Sequence, residues 1–237
     1  YHNECFVMKV RKEAAGANLI VVNHHLLFAD IESRLGGAGY DDAAVLPPYH
    51  HIIFDEAHGI ENAATSFFSQ SVTRFKLNKL INQMYRHRKN SETGHLCSLA
   101  ILSANEERAG EAYDITNHIK NDLINLEIAA RDLLGSDYTK RLYDGTARDF
   151  GPTLVSISQL AQDLGQFADI IRAVMEGVDQ DDRDVPFYWE SKIILRRLDD
   201  YVLILKNFCQ WDEKRELVFW IQQKKLPADM AKDGDNL

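Results

Sequence analysis

Asp55, Glu56 and His58 stand within four residues of one another in the stretch HHIIFDEAHGIENAA, residues 50–64. Two adjacent carboxylates at the end of an apolar run can divide the work of metal-assisted hydrolysis. Asp55 would hold Mg²⁺, through water because this ion sheds its hydration shell reluctantly, while Glu56 would orient the attacking water and accept its proton. His58 could relay the state of the site to neighbouring elements through hydrogen bonds. An acidic pair alone also suits the start of a helix, where the dipole favours negative charge. The full Asp-Glu-Ala-His string is more specific, since a given tetrapeptide should occur by chance in about one chain in a thousand of this length.

The elements that must position these residues can be read from hydrophobic periodicity. Ile52, Ile53 and Phe54 form a short apolar run like a buried strand of a parallel sheet, which carries its chemistry beyond its carboxyl edge. Upstream, residues 5–17 are helix-like and NLIVV (18–22) is a β-branched run that reads as a strand. LLFADIESRL is again helix-like, and GGAGYDD with Pro47-Pro48 marks a loop. Helix, strand, helix, loop and strand alternate as in a parallel α/β unit.

After about Phe67 the period becomes helical. Leu77, Ile81 and Met84 form one stripe; Ile119, Leu123, Leu126, Ala130 and Leu133 a second; Ile157, Ala161, Leu164, Ala168, Ile171 and Met175 a third; Ile194, Leu198, Val202 and Leu205 a fourth. Four such helices can bury one another in a bundle. Ser103 with Glu106 fits a capping box, Pro152 a first helical turn and Gly177 a helix end. The acidic run 179–184 reads as a solvated loop, and LVFWIQQKK (217–225) returns to a strand-like pattern before the polar PADMAKDGDNL. The expected fold is therefore mixed: a small parallel α/β piece followed by a mainly α-helical, bundle-like block. Phe75, Phe167 and Phe208 are expected in its core.

With 237 residues, 45% of them hydrophobic, the chain can bury a sizeable core. No apolar stretch approaches the roughly 20 residues of a membrane helix. The net charge of −9 argues against a uniformly basic nucleic-acid coat. A local patch exists at YRHRKN (85–90), where Tyr85 could stack on a base and Arg86, Arg88 and Lys89 could meet phosphates, or where a helix end could carry dipole-complementing cations. Arg11 with Lys12 and Arg196 with Arg197 are weaker patches. Three widely separated cysteines, Cys5, Cys97 and Cys209, point to a reducing, cytoplasmic setting. His24, His25, His50, His51 and His58 lack the i, i+4 spacing of a metal-binding helix, and strand-end polarity explains them more simply.

Taken together, IIFDEAHGIENAA resembles the DEAH box, or Walker B motif, of the superfamily 2 iron-sulfur helicases that include DinG and XPD. CFVMKVRKEAAGANLIVVNHHLLFAD resembles the segment of those enzymes that carries the last cluster cysteine, a helix, and a strand ending in Asn-His-x-Leu-Leu. Here these are Cys5 and Asn23, His24, Leu26 and Leu27. The bacterial DinG-like branch fits best. The resemblance implies a RecA-like motor piece over 1–66, a helical arch over 67–215 and a return segment over 216–237. It implies ATP and Mg²⁺ as cofactors, with Asp55 and Ala57 on the nucleotide side and Glu56 as base. Single-stranded and forked duplex DNA are the implied partners, with Asn23 and His24 among the DNA-facing residues, and movement is implied to run 5′ to 3′.

Departures from the family pattern are plain in the sequence. No G-x-x-x-x-G-K-[ST] loop is present, and GGAG at 36–39 lacks the lysine. One thiolate, Cys5, cannot hold a four-cysteine cluster, so no cluster is expected here. The chain opens at Tyr1 and reads as the middle of a larger helicase, inactive alone and prone to self-association through unpaired strand edges. The other reading is a helical protein- or DNA-interaction module that keeps a non-functional DEAH box.

Overall fold

A computed structural model describes residues 5–38, 44–89 and 91–223. Gly39 to Asp42 of the expected loop, Asn90 of the basic patch and the polar stretch 227–237 lie outside them. The chain divides into two compact units, 1–70 and 71–237.

In the first unit, α1 (Phe6–Ala15) buries none of its residues, and Phe6, Val7, Met8 and Val10 are all exposed. α2 (His24–Ser33) continues into one wide turn, Arg34–Ala38. A 3-10 turn, Ala57–Gly59, leads into α3 (Ile60–Phe68). α2 and α3 meet through rings: Phe28 lies 5.9 Å from Phe67 and 5.5 Å from Phe68, distances at which aromatic pairs attract.

The strands expected at 18–22 and 52–54 are not formed. Both runs are irregular, and they are not buried: Val21 is 89% and Ile53 91% exposed. A strand exists only through its ladder, and no described residue of this unit supplies a partner backbone to either run. The parallel sheet is thus absent from the described residues, although the helices around it stand where the periodicity put them.

The second unit is a helical bundle with two small β-ribbons. α4 (Arg74–Met84) is capped by Thr73, whose hydroxyl accepts the Lys76 N–H at 3.3 Å. β1 (Arg86–Arg88) and β2 (Ser91–Thr93) form an antiparallel hairpin. α5 (His95–Ser103), α6 (Glu106–Gly110) and α7 (Ala112–Leu134) follow. β3 (Thr139–Leu142) precedes α8 (Gly151–Glu176), and α9 (Pro186–Cys209) precedes β4 (Phe219–Gln222).

α8 lies at the centre. Ile157, Ala161, Leu164, Ala168, Ile171 and Met175 are all buried, as are Leu77, Ile81 and Met84 of α4, Ile119 and Leu123 of α7, and Ile194, Leu198, Val202 and Leu205 of α9. Pro152 and Pro186 sit in first turns, where the missing N–H costs nothing, and Gly177 follows the last residue of α8. β4 pairs with β3, Phe219 opposite Leu142, so the described part of the return segment belongs to this unit. Phe219 reaches Phe208 at 5.3 Å, and Phe208 reaches Phe150 at 6.3 Å.

Two local expectations are corrected. Ser103 ends α5, its hydroxyl donating to the Ala100 carbonyl, and α6 begins after Asn105 without a side-chain cap, so Ser103 and Glu106 make no capping box. Phe75 is exposed, because it falls off the Leu77–Ile81–Met84 face of α4. Phe167 is fully buried and Phe208 packs against the core.

One core contact opposes stability. Asp122 of α7 and Asp163 of α8 are both buried, and one oxygen of Asp122 has no hydrogen-bond partner. Burial, then the hydrogen bond and charge of Asp163, raise Asp122 to about 6 against a small opposing pull from His118. An acid whose folded pKa is raised holds extra protons in the fold, so stability is greatest below the ordinary carboxylate range, about 4, and falls as pH rises towards 6. Urea unfolding followed by tryptophan fluorescence reports on this unit alone, since Trp189, Trp211 and Trp220 all lie in it. We expect a loss on the order of 2–3 kcal/mol between pH 4 and pH 7, and its disappearance in Asp122→Asn.

Candidate active site

The acidic box sits where an irregular run turns into a helix. The backbone at Glu56 adopts φ 49°, ψ 45°, a left-handed conformation uncommon for a residue with a side chain. Asp55 supports it locally, one carboxylate oxygen accepting the Glu56 N–H at 3.0 Å. Ala57 opens the short turn, and Glu61 in the first turn of α3 complements the helix dipole. His58 Nδ1 lies 3.3 Å from a Glu56 carboxylate oxygen, and both side chains are open to solvent. The structure thus brings Asp55, Glu56 and His58 together as one exposed group.

The Asn-His segment approaches the same place. Asn23 caps α2, its side-chain oxygen accepting the Leu26 N–H at 2.9 Å. The His24 ring stacks near Phe28 at 6.4 Å and lies 6.2 Å from Phe54, the residue before Asp55. The start of α2 and the box are therefore neighbours within one unit.

Sequence reading missed the group that fixes the loop leading to the box. Asp30 is fully buried and accepts from Arg34 at 2.7 Å, from the Val45 and Leu46 amides at 3.0 and 2.7 Å, and from the Tyr49 hydroxyl at 3.0 Å. Arg34 also donates to the Leu46 carbonyl at 3.0 Å, with its guanidinium 5.2 Å from the centre of the Tyr49 ring. Burial pushes the Asp30 carboxyl up, but the bonds from Arg34, Leu46 and Tyr49 outweigh it and hold it below its ordinary value. The signal available in the sequence was the i, i+4 spacing of Asp30 and Arg34 on one helix.

What this chain can hold follows from its donors. Asp55 keeps one carboxylate oxygen unbonded among the described residues, which suits a hydrated cation held by a single acid. Among the described residues no group of three or more His, Cys, Asp or Glu side chains is placed to hold a metal ion directly. Cys5 is exposed just before α1, while Cys97 and Cys209 lie in the second unit, and three cysteines fall short of the four thiolates of a common iron-sulfur cluster.

The basic patch differs from expectation. Tyr85 is buried, and its hydroxyl donates to Glu92 at 2.9 Å; burial, then Glu92, push its pKa well above the ordinary value. It cannot stack on a base without leaving the core. Arg86 and Arg88 lie on β1 and Lys89 at its turn, not on a helix end.

Two curated proteins share sequence with this chain. The ATP-dependent DNA helicase YoaA of Haemophilus influenzae is 44% identical over 88 residues, 36% of this chain and 13% of that protein. The Escherichia coli protein of the same name is 40% identical over 76 residues, 32% of this chain and 11% of that protein. The chain is similar to ATP-dependent DNA helicases. The matched segment spans only about an eighth of these relatives' length. No family model and no solved structure matches.

Removing Asp30 would take the carboxylate acceptor from the Val45 and Leu46 amides and break the buried pair with Arg34, at a cost of about 3–5 kcal/mol to the local fold. In Asp30→Ala, hydrogen exchange at the Val45 and Leu46 amides should accelerate at least about a hundredfold at neutral pH. Because the folded pKa of Asp30 is depressed, its contribution in the native chain is present above the ordinary carboxylate range and lost as pH falls below about 4.

Proposed function

We propose that this chain is the central part of an ATP-dependent DNA helicase of the DinG and XPD type. On this reading residues 1–66 contribute to a RecA-like motor domain, the helical unit is the arch, and 216–237 return towards the motor. The observation that carries it is the clustering of Asp55, Glu56 and His58 beside the Asn23–His24 helix start, together with the similarity to the YoaA helicases.

In the intact enzyme Mg²⁺-ATP would supply the reactive phosphoryl group. Asp55, with its unbonded oxygen, would hold the hydrated cation, with Ala57 on the nucleotide side of the box. Glu56 would orient the attacking water and take its proton, and its closeness to His58 at 3.3 Å provides a hydrogen-bonding route out of the site. Hydrolysis would drive movement 5′ to 3′ on single-stranded DNA and separate a forked duplex ahead. The phosphate-cradling loop and the other cluster cysteines would come from elsewhere in the protein, which would work in the cytoplasm. This chain alone would not hydrolyse ATP.

The second reading, an interaction module with a non-functional box, draws on the irregular, exposed backbone beneath Asp55 and Glu56. DNA-stimulated ATP hydrolysis by the intact protein separates the two. Glu56→Gln should lower the rate by about 10²–10⁴-fold while Mg²⁺-ATP still binds. Unchanged hydrolysis in that variant would favour the module.

A further inference from the structure

The β1–β2 hairpin sorts its side chains by charge. Residues directly opposite one another in an antiparallel pair share a face, as do residues two apart along a strand. The register pairs Arg86 with Thr93 and Arg88 with Ser91, so both arginines and both hydroxyl residues stand on one face, with Lys89 at the turn. That face carries no carboxylate. His87 and Glu92 occupy the opposite face, where they are used internally: the His87 ring meets Tyr113 of α7 edge-on at 4.7 Å, and Glu92 accepts from Tyr85.

The base of the hairpin is fixed as well. Gly94 has φ 118°, and a Cβ there would fall 2.5 Å from the Met84 carbonyl oxygen, so the chain leaving β2 passes directly over the end of α4. Among the described residues the Arg86, Arg88 and Lys89 side chains make no ion pair, although the chain carries 36 acids against 27 basic residues. Cations on a fixed hairpin, with no ion-pair partner among the described residues in a chain of net charge −9, point to an external polyanion.

We propose that this face binds the phosphate backbone of single-stranded DNA, with Arg86, Arg88 and Lys89 meeting phosphates and Ser91 as a further hydrogen-bond donor. The assignment rests on the helicase reading for the choice of DNA. Binding of this kind is independent of base sequence, and it replaces the stacking role that burial denies Tyr85.

The test is fluorescence anisotropy of labelled oligo-dT with the intact protein, titrated between about 50 and 200 mM salt. In Arg86→Gln/Arg88→Gln/Lys89→Gln the slope of log K against log salt should become shallower by about 2, the release of three single-strand contacts. Arg196→Gln/Arg197→Gln on α9 should leave the slope unchanged. An unchanged slope in the triple variant, with tryptophan-monitored unfolding like the wild type, overturns the assignment, as does weaker binding at constant slope. A shallower slope in a protein whose Glu56→Gln variant still hydrolyses ATP upholds the hairpin and removes the motor reading.

Discussion

The first unit depends on one buried carboxylate. Asp30 is the point at which α2, the loop at 44–49 and the approach to the acidic box meet, and few apolar side chains share the work. Among the described residues of this unit, Leu27, Phe28 and Leu46 are the buried hydrophobics. An uncompensated charge would be intolerable there. Four donors converge on the carboxylate, so burial becomes a source of geometric definition. The run 52–54 inherits its starting point from that node, and the box inherits it in turn.

The second unit is built on the opposite logic. Its order comes from apolar area on long helices, and the buried polar mismatch of Asp122 against Asp163 is an electrostatic penalty carried by an otherwise dense interface. Such a penalty persists where packing is strong enough to enforce the contact. The same packing leaves the small ribbons free to specialise: β3–β4 closes over Phe150 and Phe208, while β1–β2 displays charge.

Legibility in the sequence followed the range of the interactions. The stripes of α4, α7, α8 and α9 were readable because a 3.6-residue period records burial within a single segment. The runs 18–22 and 52–54 looked like buried strands because they are apolar and β-branched, but a strand is decided by a partner elsewhere, and the described residues provide none. The hairpin escaped notice because three-residue strands are too short to show alternation, and Tyr85 read as available because nothing local announces that Glu92 will take its hydroxyl. In the box, residue identity was legible at once. The left-handed backbone at Glu56 and the Asp30 node were not, since both arise from contacts made after folding.

The central placement of α8 has a consequence for cooperativity. This helix presents buried side chains to α5, α6, α7 and α9 together, so detaching any one of them uncovers apolar surface on the same rod. Partial opening is then penalised almost as heavily as complete opening. The bundle accordingly behaves as one foldon, with the slowest-exchanging amides along the middle of α8 and the ribbons exchanging first.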